Sequence, residues 1–265
     1  MKRLSIIFYV LTLVMAIVAV ACEFRVKPNE EDDAQVHLQV QRYDRLESRY
    51  LTTGDFSALQ QMNTDYPVET RTLVEDMLQL GEVNDHEINA RFLNFFQDSL
   101  LQMIIADAEA QYADMSDIDK QLQQSFGRLQ RLIPDIPLPE VYAQIGALGQ
   151  SIVVGDGLIG ISLDKYLGSD YAPYGNFYDS RQRSTMTRSA IVPDCLVFWL
   201  LSHYPMQDFE ASQQQQRDVH MGRVMWVVNR ALGTPFFKTP FTAQAEKFMQ
   251  KHPGTSAADL LQKEL

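Results

Sequence analysis

Residues 155–160 read GDGLIG, the spacing of a dinucleotide-binding fingerprint. That chemistry needs a strand before the glycines and a helix opening within them, so that its first amides meet a pyrophosphate. Here Ile161, Ser162 and Leu163 continue a strand pattern, and Asp156 would aim a carboxylate at the anion, so no nucleotide is expected. For metal-assisted hydrolysis, His86-Glu87 begins like HExxH, yet Ala90 stands where the second imidazole has to fall one helical turn later. His203, His220 and His252 show no ligand spacing, so no metal is expected. Acyl transfer lacks a GxSxG elbow, and Cys195, inside the apolar run CLVFWLL, reads as a small core residue. Asp164, Asp170, Asp179 and Asp194 leave a carboxylate pair for hydrolysis open, since such pairs meet in space and nothing singles out two of them. The expectation is a chain with no catalytic residue and no cofactor.

One group of residues suits recognition. Tyr166, Tyr171, Tyr174, Phe177 and Tyr178 are interleaved with Gly168, Asp170, Pro173 and Gly175. Tyrosines in a Gly/Pro-rich loop supply contact area at small entropy cost. Asp164, Tyr166, Asp170, Tyr171, Tyr174 and Tyr178 form the candidate partner-binding face. The competing reading is that these rings cover the end of a sheet.

The elements that must position them begin after a targeting segment. Lys2 and Arg3 precede an uncharged run over residues 4–21, and Ala19-Val20-Ala21 lead into Cys22. This pattern is a secretion signal ending in a lipobox: residues 1–21 as signal peptide and Cys22 as the palmitoylated anchor. An uncleaved membrane helix stays open, because the run is 18 residues long. Residues 22–34 include four consecutive acids, Glu30 to Asp33, and read as a solvated tether. The formal net charge of −11 argues against nucleic acid, whose capture rests on clustered Lys and Arg.

Residues 35–265 are expected to form one globular domain, for which a 46% apolar composition suffices. Residues 35–43 alternate Val36, Leu38 and Val40 with His37, Gln39 and Gln41, the period of a strand with His37 on its polar face. Helices are expected over residues 55–62 and 67–80, the second opening on Pro67 and stopping at Gly81. A third runs from Asn84, boxed with Glu87, through Met103, and a fourth from Ser116, boxed with Asp119, to Pro134. Three short strands follow, at residues 141–145, 151–154 and 158–163, the last two folded into an antiparallel hairpin at Asp156-Gly157. Gly160 is expected to admit neighbouring backbone. Residues 195–201 are apolar all round, as in a buried helix. Another helix covers residues 214–232, entered through Gln213 to Gln216, stopped at Gly233 and burying Met221, Val224, Met225, Val228 and Leu232. Two short helices near 242–250 and 256–263 close the chain. The class is α+β, predominantly helical, with one small, mostly antiparallel sheet.

The blocks IGISLDKYLGSDYAPY (159–174), IVPDCLVFWLLSHYP (191–205) and KHPGTSAADLLQ (251–262) resemble the gliding-motility lipoprotein GldB family of Bacteroidota. The resemblance runs roughly from Val36 to the C-terminus. It implies a lipid-anchored envelope protein, at the periplasmic face of the outer membrane with surface exposure as the alternative, serving motility or its secretion machinery as a non-enzymatic scaffold with an envelope protein partner. Such proteins also look distantly like zincin peptidases; a match there puts the HExxH positions on Pro193, Asp194 and Val197, without either histidine, and so implies a degenerate scaffold. A hydrolase of envelope material using carboxylates of residues 164–194 is the alternative.

Overall fold

A four-stranded sheet with the order β1-β2-β4-β3 lies at the centre, formed by β1 (Val40–Gln41), β2 (Glu140–Gln144), β3 (Ile152–Gly155) and β4 (Leu158–Ser162). The computed structural model describes residues 36–262; the expected signal peptide, Cys22 and the expected acidic tether lie outside the described residues. Side chains alternate across the strands. Tyr142 and Gln144 of β2, with Gly160 and Ser162 beside them on β4, therefore share one face, while Val141, Ala143, Ile159 and Ile161 share the other.

The sheet is mixed, which corrects the expectation of a mostly antiparallel one. The β3–β4 hairpin is antiparallel, but β1–β2 and β2–β4 are parallel. The cause is connectivity: a helical crossover returns the chain from β1 to β2 in the same direction, and β3 takes the outer edge so that β4 runs back alongside β2. At the turn, Asp156 and Gly157 have φ of 50° and 81°, the left-handed pair that tightens a two-residue hairpin. Gly160 admits an aromatic ring rather than backbone: a Cβ there would lie 2.5 Å from the Tyr142 ring.

Helices cover the sheet. Helix α1 (Tyr43–Thr53) packs on β2, with the Tyr43 ring edge-on to Tyr142 at 6.1 Å. Only two residues of the expected 35–43 strand pair in the sheet. Side chains of a later helix hold its flank instead, Asp119 accepting Val40 N–H (2.9 Å) and Gln123 donating to Leu38 O (2.9 Å), with His37 exposed as expected. Helix α2 (Phe56–Asp65) is capped by Asp55, and α3 (Pro67–Arg71) continues as a π-helical turn over Thr72–Met77.

The single helix expected from Asn84 is two, α4 (Ile88–Phe95) and α5 (Ser99–Gln111). Asp98 breaks and recaps the chain by accepting Leu100 N–H, and it is Asp85 that accepts Glu87 N–H, so the Asn84 box does not form. Helix α6 (Ser116–Leu132) opens with Asp114, not Asp119, accepting Ser116 N–H. After the short α7 (Ser180–Arg183) come α8 (Ile191–His203) on β3 and β4, α9 (Gln214–Leu232) against α6 and α8, α10 (Pro240–Lys251) and α11 (Ala257–Gln262). Leu196 and Trp199 of α8 are buried as expected, though Phe198 is 40% exposed. Helix α9 ends at Gly233 as expected, and buries Val224 and Val228 but also His220, Trp226 and Val227, with Met221, Met225 and Leu232 only half-buried. Buried apolar side chains from residue 36 to 261 form one connected core.

Candidate functional site

The segment after β4 turns its polar atoms inward. Ser162 ends the strand, a single 3-10 turn carries Leu163–Lys165, and Asp164 becomes fully buried. Its carboxylate accepts Gly146 N–H at 2.7 Å and Leu148 N–H, two amides presented by a loop in which Ala147 and Leu148 hold φ of 49° and 63°. Successive donors of this kind make a nest for an anion, and Asp164 fills it. Tyr178 Oη donates to Leu148 O, and Lys165 Nζ donates to Tyr178 Oη at 2.7 Å while lying 4.0 Å over that ring. Burial raises the Asp164 carboxyl above its ordinary range against the pull of those amides, and burial lowers Lys165.

The tyrosines act as struts. Tyr174 Oη accepts Leu167 N–H at 2.9 Å and donates to Asp164 O. Tyr112 of the segment after α5 donates to Tyr166 O at 2.6 Å, and Tyr171 donates to Asp107 of α5 at 2.7 Å. Tyr166 Oη donates to Asp194 Oδ2 of α8 at 2.8 Å. Asp194 is half-buried, and burial pushes its carboxyl up to about 6 against that hydrogen bond.

These contacts redistribute the six residues of the expected recognition face. Asp164, Tyr166 and Tyr174 are buried at 0–1% exposure, so they tie the segment to the sheet end and cannot meet a partner. Asp170 is exposed, Tyr171 and Tyr178 are half-exposed, and Phe177 stands 53% exposed beside them. Among the other sequence candidates, Cys195 is fully buried with its thiol pushed up by burial, and Asp179 caps α7. His86 is exposed at the start of α4 beside Asp85, and Pro193 and Val197 are core residues of α8. Among the described residues, no three His, Cys, Asp or Glu side chains gather where they could hold a metal ion.

A second polar group was not singled out from the sequence. Glu47 of α1, fully buried, accepts Ile145 N–H at 2.8 Å, one peptide from the Gly146 amide that Asp164 holds. Gln144 and Ser162, also fully buried, face each other across β2 and β4 with Gln144 Nε2 donating to Ser162 Oγ at 3.3 Å. The repeats Tyr142-Ala-Gln144 and Gly160-Ile-Ser162 carried the signal, polar or minimal side chains every second residue. Glu47 carried none, because α1 reads as a polar stretch.

Fold and site define a helix-dominated α+β protein whose acidic and tyrosyl groups clasp the ends of two parallel strands. The profile of the family described as gliding motility protein GldB matches residues 25–243, and the chain belongs to that family. Membership ties it to gliding motility and the cell envelope. The matched span holds the blocks at 159–174 and 191–205, while 251–262 lies beyond it. No curated protein and no solved structure matches the chain significantly. Among the described residues, no helix is long and apolar enough to cross a membrane.

Proposed function

We propose that the protein is a non-enzymatic scaffold of the gliding-motility or associated secretion machinery. In this reading it is anchored through lipidated Cys22 at the periplasmic face of the outer membrane. Its single domain, residues 35–265, meets an envelope protein partner through the exposed remainder of the 164–178 segment: Asp170, Tyr171, Phe177 and Tyr178. The observation that supports this reading is the engagement of Asp164, whose carboxylate is fully buried on two backbone amides and so is withdrawn from chemistry. One observation favours the alternative, a hydrolase: Asp194 is half-buried, carries a carboxyl raised to about 6 and is held by Tyr166, the properties of a general acid.

Complementation of a deletion strain separates the two. Asp194→Asn keeps an acceptor for Tyr166 and removes the acid; full restoration of motility is expected, whereas loss with normal protein levels would favour hydrolysis. Phe177→Ser combined with Asp170→Ala, both exposed side chains, is expected to abolish motility without lowering the unfolding midpoint by more than a few degrees. Normal motility of that folded variant would sink the recognition surface.

A further inference from the structure

The sheet face beneath α1 carries two acceptors without donors. Glu47 Oε2 takes Ile145 N–H, while Glu47 Oε1 has no partner; Gln144, the residue before Ile145, gives its amide to Ser162 and leaves its own Oε1 without one. Both side chains are 0% exposed. A buried acceptor lacking a donor is unfavourable, and a buried ion lacking a counter-charge more so.

The surroundings of Glu47 offer acids and phenols. Asp44 lies on its own helix and Asp164 comes from the turn after β4, and both disfavour a second negative charge at Glu47. Tyr43 on α1 and Tyr142 on β2 lie within electrostatic reach of it, as Glu69 of α3 does of both phenols, and the Tyr43 hydroxyl donates to Thr70 Oγ1 at 3.2 Å. The cations are engaged elsewhere: Arg42 holds Asp44 at 2.7 Å, Arg45 holds Glu109 at 3.0 Å, and Lys165 holds Tyr178 and lies by Asp164.

We propose that the folded protein carries a proton on Glu47, at the buried Oε1 that no donor reaches, and that its loss unlatches the loop at residues 146–149. Ionised Glu47 on the Ile145 amide would stand beside Asp164 on the Gly146 amide, two buried carboxylates on neighbouring peptide groups. The loop that joins them is the element that yields. Ala147 and Leu148 hold left-handed backbone that non-glycine residues adopt only under constraint, and the constraint is Asp164, Lys165 and Tyr178. Burial raises the Glu47 carboxyl well above its ordinary range, in keeping with this state.

A carboxyl raised on folding keeps its full contribution below the unfolded value, about 4.3 for Glu. That contribution declines as pH climbs from there to the folded value. Glu47→Gln imitates the protonated acid, its amide Nε2–H replacing the carboxyl O–H.

The test uses the full-length chain in detergent micelles. Denaturant unfolding between pH 5 and 8 is expected to show the native chain losing up to about tenfold in its folded-to-unfolded ratio per pH unit relative to Glu47→Gln. Asp194 titrates in both and cancels. Amide exchange at Ala147 and Leu148 is expected to quicken with pH beyond its chemical rate in the native chain alone. Should Glu47→Gln fail to fold, carboxyl-¹³C glutamate labelling of the native chain decides instead, with the resonance assigned to Glu47 expected to stay protonated above the ordinary glutamate range. Parallel stability profiles for the two chains would overturn the proposal, as would glutamates that all titrate near their ordinary value. So would stabilisation of the native chain but not the variant by calcium or magnesium, which would place a metal cation at an ionised Glu47.

Discussion

The carboxylate of Asp164 rests on amides arranged as proteins arrange them for phosphate, so the chain supplies its own anion to its own nest. Two consequences follow from a charge-assisted pair of bonds in a fully buried place. The side chain cannot take part in surface recognition, and its replacement leaves a donor stranded. Asp164→Asn presents an NH2 where an acceptor is needed, so either Gly146 or Leu148 loses its partner. The expected cost is about 1–3 kcal/mol, the range for an unsatisfied buried donor. Equilibrium denaturation checks it: the midpoint should fall while the m-value holds, and an unchanged midpoint would mean that the nest does not need the charge. The residue types at 164–178 were legible as a cluster, but their direction was not. Tyrosine serves equally as an exposed contact and as a strut with one inward hydroxyl, and only the partners Asp107, Asp194 and the backbone of Asp164 and Leu167 tell the two apart. For Asp164, Tyr166 and Tyr174 the sheet-end reading holds; Tyr171 and Tyr178 are struts by their hydroxyls yet keep half-exposed rings, and Asp170 is exposed.

At the scale of elements, legibility followed amphipathic contrast. Helix α9 could be read almost to the residue because an apolar face alternates with charge and a glycine at φ 73° closes it. Helix α1 was missed because it buries Asp44, Glu47 and Ser48, residues that a hydrophobic pattern counts as surface. The hairpin was legible from Asp156-Gly157, yet the sheet's parallel pairs were not, since strand order depends on where a distant strand returns. The turn permits a controlled comparison between neighbours. Gly157 holds φ 81°, which an L side chain adopts at a cost of about 1–2 kcal/mol. Gly155 has no positive φ and open space around its Cβ position. Gly157→Ala is therefore expected to destabilise by about 1–2 kcal/mol, and Gly155→Ala to change stability by less than about 0.5 kcal/mol. Thermal unfolding of the pair decides: equal losses would mean that the turn does not set the hairpin.

The whole molecule combines an acidic surface charge, a core that reaches from the sheet into the helical layers, and an N-terminal segment read from sequence alone. Attachment to the envelope is expected to rest on residues 1–22, and two physical readings of them differ in a measurable way. A lipidated Cys22 holds the chain to the membrane through acyl chains, each buried methylene adding about 0.8 kcal/mol. Removing that one thiol removes all of it. An uncleaved apolar helix over residues 4–21 is indifferent to the thiol, because its 18 uncharged residues partition on their own. Cys22→Ser is then expected to lose the acyl mass, and its processing upstream of residue 22 is scored by mass on the same sample as its partition between membrane and aqueous fractions. The native chain should show the mass of a cleaved, acylated protein. Retention of the variant in membranes at its full, unprocessed mass is also produced when the peptidase no longer recognises the site, so the variant is paired with a second in which a general signal sequence replaces residues 1–22. Release of that second chain to the aqueous phase, together with acyl mass on the native one, supports the lipid anchor. Unacylated native protein at full length would overturn it, and would assign the attachment to the helix instead.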